Sequence, residues 1–129
     1  MGLVSGRLQP PAPMSLTEAL DRWSSRASIR GAAVISEDGI LVHDALGGAV
    51  DGEAVAALAL ALLRHAEQLG TAARAGDLGS VVVELAAGPA IVTGIDDRHT
   101  LVVLAHPGRD LGPLLFDIRR DKPALSQAV

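Results

Sequence analysis

Four histidines, His43, His65, His99 and His106, are the first residues to test for chemistry in this chain. No two of them stand at a metal-ligand spacing such as H-x-x-x-H. His99 and His106 fall at opposite ends of one predicted strand, roughly 23 Å apart, too far to share an ion. They read as solvated or capping residues. The absence of cysteine excludes disulfides, thiolate nucleophiles and Cys-based metal sites. Asp96-Asp97 offers adjacent carboxylates, but two acids in a tight turn are what turn geometry favours. Asp117 with Arg120, and Arg119-Arg120 with Asp121, read as a solvated helix face, with a contact to an acidic partner patch as the alternative. No G-x-x-x-x-G-K-[ST] phosphate loop, G-x-G-x-x-G turn or G-x-S-x-G nucleophile elbow occurs. The residues support no enzyme and no cofactor, and the expectation is a protein that works by binding.

Composition narrows the partners. The 129 residues suit one domain, able to bury a core without staples. The net charge is -4 and the 11 basic residues are scattered, which argues against nucleic acid. Hydrophobic residues make up 49% of the chain, yet Trp23 and Phe116 are its only aromatics. A core of Ala, Val, Leu and Ile follows, with little of the aromatic lining that ligand pockets use. The apolar run 54–63 is too short for a membrane span, and residues 1–13 lack a signal-peptide core. The expected location is cytoplasmic, without a membrane partner.

The elements that would position a binding surface follow in order. Residues 1–14 read as a disordered tail ending in Pro10, Pro11 and Pro13. Ser15 and Glu18 form a capping box, opening a helix that carries Leu16, Ala19, Leu20 and Trp23. Strands at 31–36 and 40–44 flank a Glu37-Asp38-Gly39 hairpin turn. Asp51 caps a helix running to about Ala75, with Gly76 as its stop. Strands at 80–85, 90–95 and 100–105 form a meander. A last helix starts near Asp110 and stops before Pro123, leaving 122–129 frayed. The order is α-β-β-α-β-β-β-α.

Wound at about 100° per residue, the central helix sets Val55, Leu58, Leu62, Leu69 and Ala73 on one stripe, with Ala59 and Ala66 beside it. That stripe is expected to cover the sheet. Glu53, Arg64 and Gln68 lie opposite. Leu60 falls among these polar residues, and Ala56 and Leu63 on the shoulder between the faces. They are either ordinary exposed apolar residues or a second face buried against a partner.

The chain resembles the Roadblock family, the group of dynein light chains and bacterial GTPase regulators. Residues 31–42, Gly-Ala-Ala-Val-Ile-Ser-Glu-Asp-Gly-Ile-Leu-Val, are similar to that family's first hairpin. The Ala/Leu-rich helix follows, then Ser80-Val-Val-Val-Glu, the meander from Ile91 to Leu104, and Gly108-Arg-Asp-Leu-Gly-Pro-Leu at the last helix. The resemblance covers residues 15–121 as one domain. It implies an α+β fold: a five-stranded antiparallel sheet with the central helix on one face and the terminal helices on the other. It also implies a homodimer through the central helices, and offers the third strands for edge pairing. On that basis Ala56, Leu60, Leu63, Glu67, Val82 and Glu84 are the expected interface residues. A Ras-like small GTPase is the implied second partner, since some bacterial members promote GTP hydrolysis by remodelling a GTPase without lending it a catalytic residue. The alternative is a PAS- or profilin-like sensor of small molecules, whose outline is close.

Overall fold

The computed structural model describes residues 15–26, 28–108 and 110–129, so the expectations for the 1–14 tail and for Arg109 lie outside it. The described elements are α1 (Leu16–Ser24), β1 (Ile29–Ser36), β2 (Leu41–Ala45), α2 (Gly52–Ala72), β3 (Val81–Val83), β4 (Ala90–Gly94), β5 (His99–Ala105) and α3 (Leu111–Ala128). The strands form one antiparallel sheet in the order β2-β1-β5-β4-β3, which leaves β2 and β3 at its edges. Helix α2 covers one face and α1 with α3 the other, as the resemblance implied. Among the described residues no helix is long and apolar enough to cross a membrane.

Each helix starts where a short polar side chain can accept a free backbone N–H. The Ser15 hydroxyl accepts from Glu18 N at 3.1 Å, Asp51 from Ala54 N at 3.2 Å, and Asp110 from Gly112 N at 3.0 Å. The central strands β1 and β5 are buried on both faces and therefore read as nearly continuous apolar runs. Ala32, Val34, Leu101 and Val103 meet Leu20, Trp23, Leu114 and Ile118 on the terminal-helix side. Ile35, Val92 and Val102 meet Ala56, Ala59 and Leu63 under α2. Buried Thr93 donates its hydroxyl to the Gly79 carbonyl at 2.8 Å, tying β4 to the segment before β3.

Two details differ from the sequence expectation. Helix α3 does not stop before Pro123 but runs through it to Ala128, and residues 122–128 are helical rather than frayed. Proline removes one helical hydrogen bond and crowds the preceding turn. Here Leu125, only 1% exposed, is buried in the terminal-helix core and holds the last turns in place. The second detail is the acidic side of α3. Arg26 stacks over Trp23, 4.4 Å from the ring centroid, and reaches Asp117 at 2.7 Å and Asp121 at 3.4 Å. Asp117 and Asp121 are thus partly buried anchors between the α1 end and α3, not a free solvated face. Only charges 91 and 95 residues apart in sequence reveal this.

Candidate protein-interaction surface

Helix α2 is rotated relative to the sequence expectation. The residues that meet the sheet are Ala56, Ala59, Leu60 and Leu63, exposed by 0%, 6%, 8% and 7%. The stripe expected to face the sheet points outward instead: Leu58 is 69% exposed, Leu69 68% and Leu62 37%. The reason lies at the ends of the sheet. Leu60 reaches over the β1–β2 turn, where its Cδ2 sits 3.6 Å from a Cβ placed on Gly39. Arg64, one turn on, donates to the Glu37 carbonyl at 2.8 Å. Polar residues therefore share the sheet-side arc because they extend past the strands to turn backbone. Choosing the arc with fewest charges selects the wrong side.

The outward arc carries Ala54, Leu58, Ala61, Leu62, His65, Leu69 and Ala72. None of these is Asp, Glu, Lys or Arg. Glu53, Arg64 and Glu67 all lie off this arc. The arc abuts a sheet edge: α2 lies over β2, β3 and β4, and among the described residues β3 pairs only with β4. Of the residues expected at an interface, Val82 (37% exposed) and the exposed Glu84 stand on or just beyond this edge strand. Leu85, 57% exposed, follows. Glu67 is exposed on α2 but lines a cleft away from the leucines. Ala56, Leu60 and Leu63 are engaged by their own sheet and are corrected to core residues.

The cleft, about 570 Å³, lies between the second half of α2 and the β4–β5 turn. Leu60, Leu63 and Leu78 line it together with Glu37, Arg64, Glu67, Asp77, Asp96, Asp97, Arg98 and His99, and neither Trp23 nor Phe116 is among the lining residues. Small-molecule pockets have the opposite balance, so nothing in it favours a sensor. Among the described residues no group of three or more His, Asp and Glu side chains could hold a metal ion.

At the rim, Asp96 accepts from His99 Nδ1 at 3.0 Å, from Arg98 N at 2.8 Å and from the Ser126 hydroxyl at 3.2 Å. The residue types suggest a nucleophilic triad, but the connectivity does not make one. The carboxylate sits in the middle, so the hydroxyl donates to Asp96 and no imidazole receives its proton. The cluster instead clasps the end of α3 to the β4–β5 turn. Burial pushes the Asp96 carboxyl up, but the Arg98 N–H, His99 and Ser126 together hold it below its ordinary 3.8. A depressed carboxylate stabilises the fold above its unfolded pKa and loses that contribution as pH falls through the folded value. The excess stability of the wild type over Asp96→Asn is expected to be present at about pH 5, where the carboxylate is ionised. It should then shrink toward zero as acid takes the pH below the depressed pKa. Because the site is largely exposed, the effect stays below about 1 kcal/mol. Urea unfolding of both proteins at several pH values measures it.

A sequence profile of the Roadblock/LC7 domain matches residues 16–105, from α1 to the end of β5. The chain belongs to the Roadblock/LC7 domain family. Among solved structures, a Roadblock/LC7 domain from Streptomyces avermitilis is similar, with a TM-score of 0.78 and 22% identity over 88% of this chain and 97% of that one. MglB of Myxococcus xanthus superposes with a TM-score of 0.78 and 18% identity, covering 87% of this chain and 92% of its own. The gliding protein MglB from Thermus thermophilus gives 0.75 and 14% identity, over 94% and 97%. No curated protein sequence matches the chain.

Proposed function

We propose that this protein is a homodimeric interaction module that scaffolds or regulates a Ras-like small GTPase in the cytoplasm, without catalytic residues of its own. The observation that carries the first half is the outward arc of α2. Leu58, Leu62 and Leu69 form an uncharged leucine stripe on a helix whose other side is already buried in the sheet. Burying a leucine stabilises by about 1.5–3 kcal/mol, and a two-fold interface uses each one twice. The alanines between them allow close helix approach. The free β3 edge beside the stripe offers main-chain groups to the same copy. Val82 and Glu84 keep their place in this interface, whereas Leu58, Leu62 and Leu69 replace Ala56, Leu60 and Leu63.

The GTPase half is supported by membership of the Roadblock/LC7 family and by likeness in fold to the MglB proteins. Titration of the purified protein against small GTPases encoded near its gene, each loaded with GDP or a non-hydrolysable GTP analogue, tests it. Binding to one of them is expected to differ between the nucleotide states by at least tenfold, a coupling of about 1.4 kcal/mol. Equal or absent binding to all of them would remove the GTPase from the proposal and leave the dimer.

A further inference from the structure

Helix α3 carries a row of side chains that the rest of the chain leaves unmatched. Phe116, Arg119 and Lys122 stand three residues apart and form one oblique ridge, with about 4.5 Å of rise between successive members. Phe116 is 65% exposed, whereas Trp23, the only other aromatic residue, is 3% exposed. Arg119 is exposed and Lys122 half-buried. The acids of the same helix are already engaged: Asp117 and Asp121 pair with Arg26 and with Arg120. The described residues include every Asp and Glu of the chain, and among them none pairs with Arg119 or Lys122. Burial, and then the neighbouring Arg119 charge, pushes Lys122 below its ordinary 10.5. The ridge thus holds two like charges whose relief needs an anion from outside the described residues. Residues 1–14 contain no Asp or Glu and cannot supply it.

We propose that this ridge docks an acidic amphipathic helix of a partner protein, with an apolar side chain seated on Phe116 and two carboxylates on Arg119 and Lys122. A row of one apolar and two acidic residues, each three apart on a helix, has the spacing of the ridge and the opposite charge. Aromatic and arginine side chains are the common anchors of such contacts, and charge-assisted hydrogen bonds fix the register. Past Lys122 the same flank reaches Ser126, which bonds to Asp96, so a third carboxylate would meet repulsion there. An anionic membrane fits less well. Glu18 and Asp21 are exposed on α1, which covers the same face of the sheet, and a flat anionic surface would meet them too. Wound at about 100° per residue, Arg119 and Lys122 fall on the flank of α3 opposite Asp117 and Asp121, which bond to Arg26 beyond the end of α1. A single helix on that flank is turned away from the α1 acids. The ridge and the α2 leucines lie on opposite faces of the sheet, so it stays open in the dimer proposed above and is tested independently of it.

Fluorescence anisotropy with labelled, alanine-based helical peptides tests the proposal. One peptide carries Leu-x-x-Glu-x-x-Glu, a second Leu-x-x-Gln-x-x-Gln and a third Leu-x-x-Lys-x-x-Lys. At low salt the protein is expected to bind the Glu peptide at least about tenfold more tightly than the Gln peptide, and added salt should shrink the difference. Arg119→Glu with Lys122→Glu should invert the preference, so that the Lys peptide binds best. Phe116→Ala should weaken the Glu peptide about tenfold. Arg119→Gln with Lys122→Gln is the milder pair. Neither side chain has a carboxylate to lose, so Tm should hold or rise while binding of the Glu peptide falls. A drop in Tm with binding unchanged would make the two cations structural and overturn the proposal. So would equal affinity for the Glu and Gln peptides, a Glu peptide that binds every variant alike, or no binding of it at about 1 mM. Binding to phosphatidylserine vesicles that the Arg119 and Lys122 variants lose, with no binding of the Glu peptide, would overturn it in favour of a lipid surface.

Discussion

Leu58→Glu together with Leu69→Glu is expected to yield a folded monomer. Both side chains are about two-thirds exposed within the chain, so the change leaves the core under α2 intact. A two-fold interface contains four such leucines. Losing their burial removes about 6–12 kcal/mol before any charge is considered. The substituted carboxylates would face apolar groups, with no cation on the outward arc to pair with. Even after allowance for non-additivity, the dissociation constant should rise by at least about a thousandfold, since each 1.4 kcal/mol is a factor of ten. Light scattering should show half the mass and circular dichroism an unchanged spectrum. Leu60→Glu with Leu63→Glu gives the contrast. Those side chains are 8% and 7% exposed beneath the helix, and an unpaired charge there removes several kcal/mol from a fold that has about 5–15. That pair is expected to unfold. If instead it gives a folded monomer while the Leu58/Leu69 pair remains dimeric, the orientation of α2 is the other way round.

The contrast marks the limit of what the sequence shows. Local signals place the elements well because their causes are local. Ser15, Asp51 and Asp110 each supply the capping oxygen that a helix start requires. The Asp38-Gly39 pair supplies the positive φ, +81° at Gly39, that the hairpin turn requires. The rotation of α2 is not local. The helix carries two apolar arcs, and only the reach of Leu60 and Arg64 over the β1–β2 turn decides which arc meets the sheet. The passage of α3 through Pro123 is likewise settled elsewhere, by Leu125 in the core and by Ser126 bonding to Asp96 thirty residues earlier. The candidate surface was therefore legible as a property of one helix, a second apolar face, and not as a set of residues. Val82 on the β3 edge and Glu84 just beyond it are exposed, and their place in an interface belongs to the proposal.

A large loss of stability is also expected from one methyl group at Gly88, in the connection between β3 and β4. Gly88 has φ +124°, a region closed to L side chains, and its N–H donates to the Leu85 carbonyl at 3.0 Å. A Cβ there would collide with the carbonyl oxygen of Ala105 at the end of β5. That oxygen belongs to backbone and cannot swing aside like a side chain. The next residue is locked as well, because Ala105 N donates to the Pro89 carbonyl at 2.9 Å. Relief thus requires the β3–β4 connection to lift away from β5. Gly88→Ala should cost about 3 kcal/mol or more, lowering Tm by on the order of 10 °C. Gly47→Ala isolates the backbone part: its φ is +93°, but nothing lies within 4 Å of the added Cβ. It should cost only about 1 kcal/mol, the strain of a left-handed residue alone. The difference between the two, read by thermal or urea unfolding, measures the collision. Equal losses would mean that the β3–β4 connection moves freely away from β5. The β3 edge offered to the second copy would then be mobile rather than fixed, and the dimer would have to rest on the α2 leucines alone.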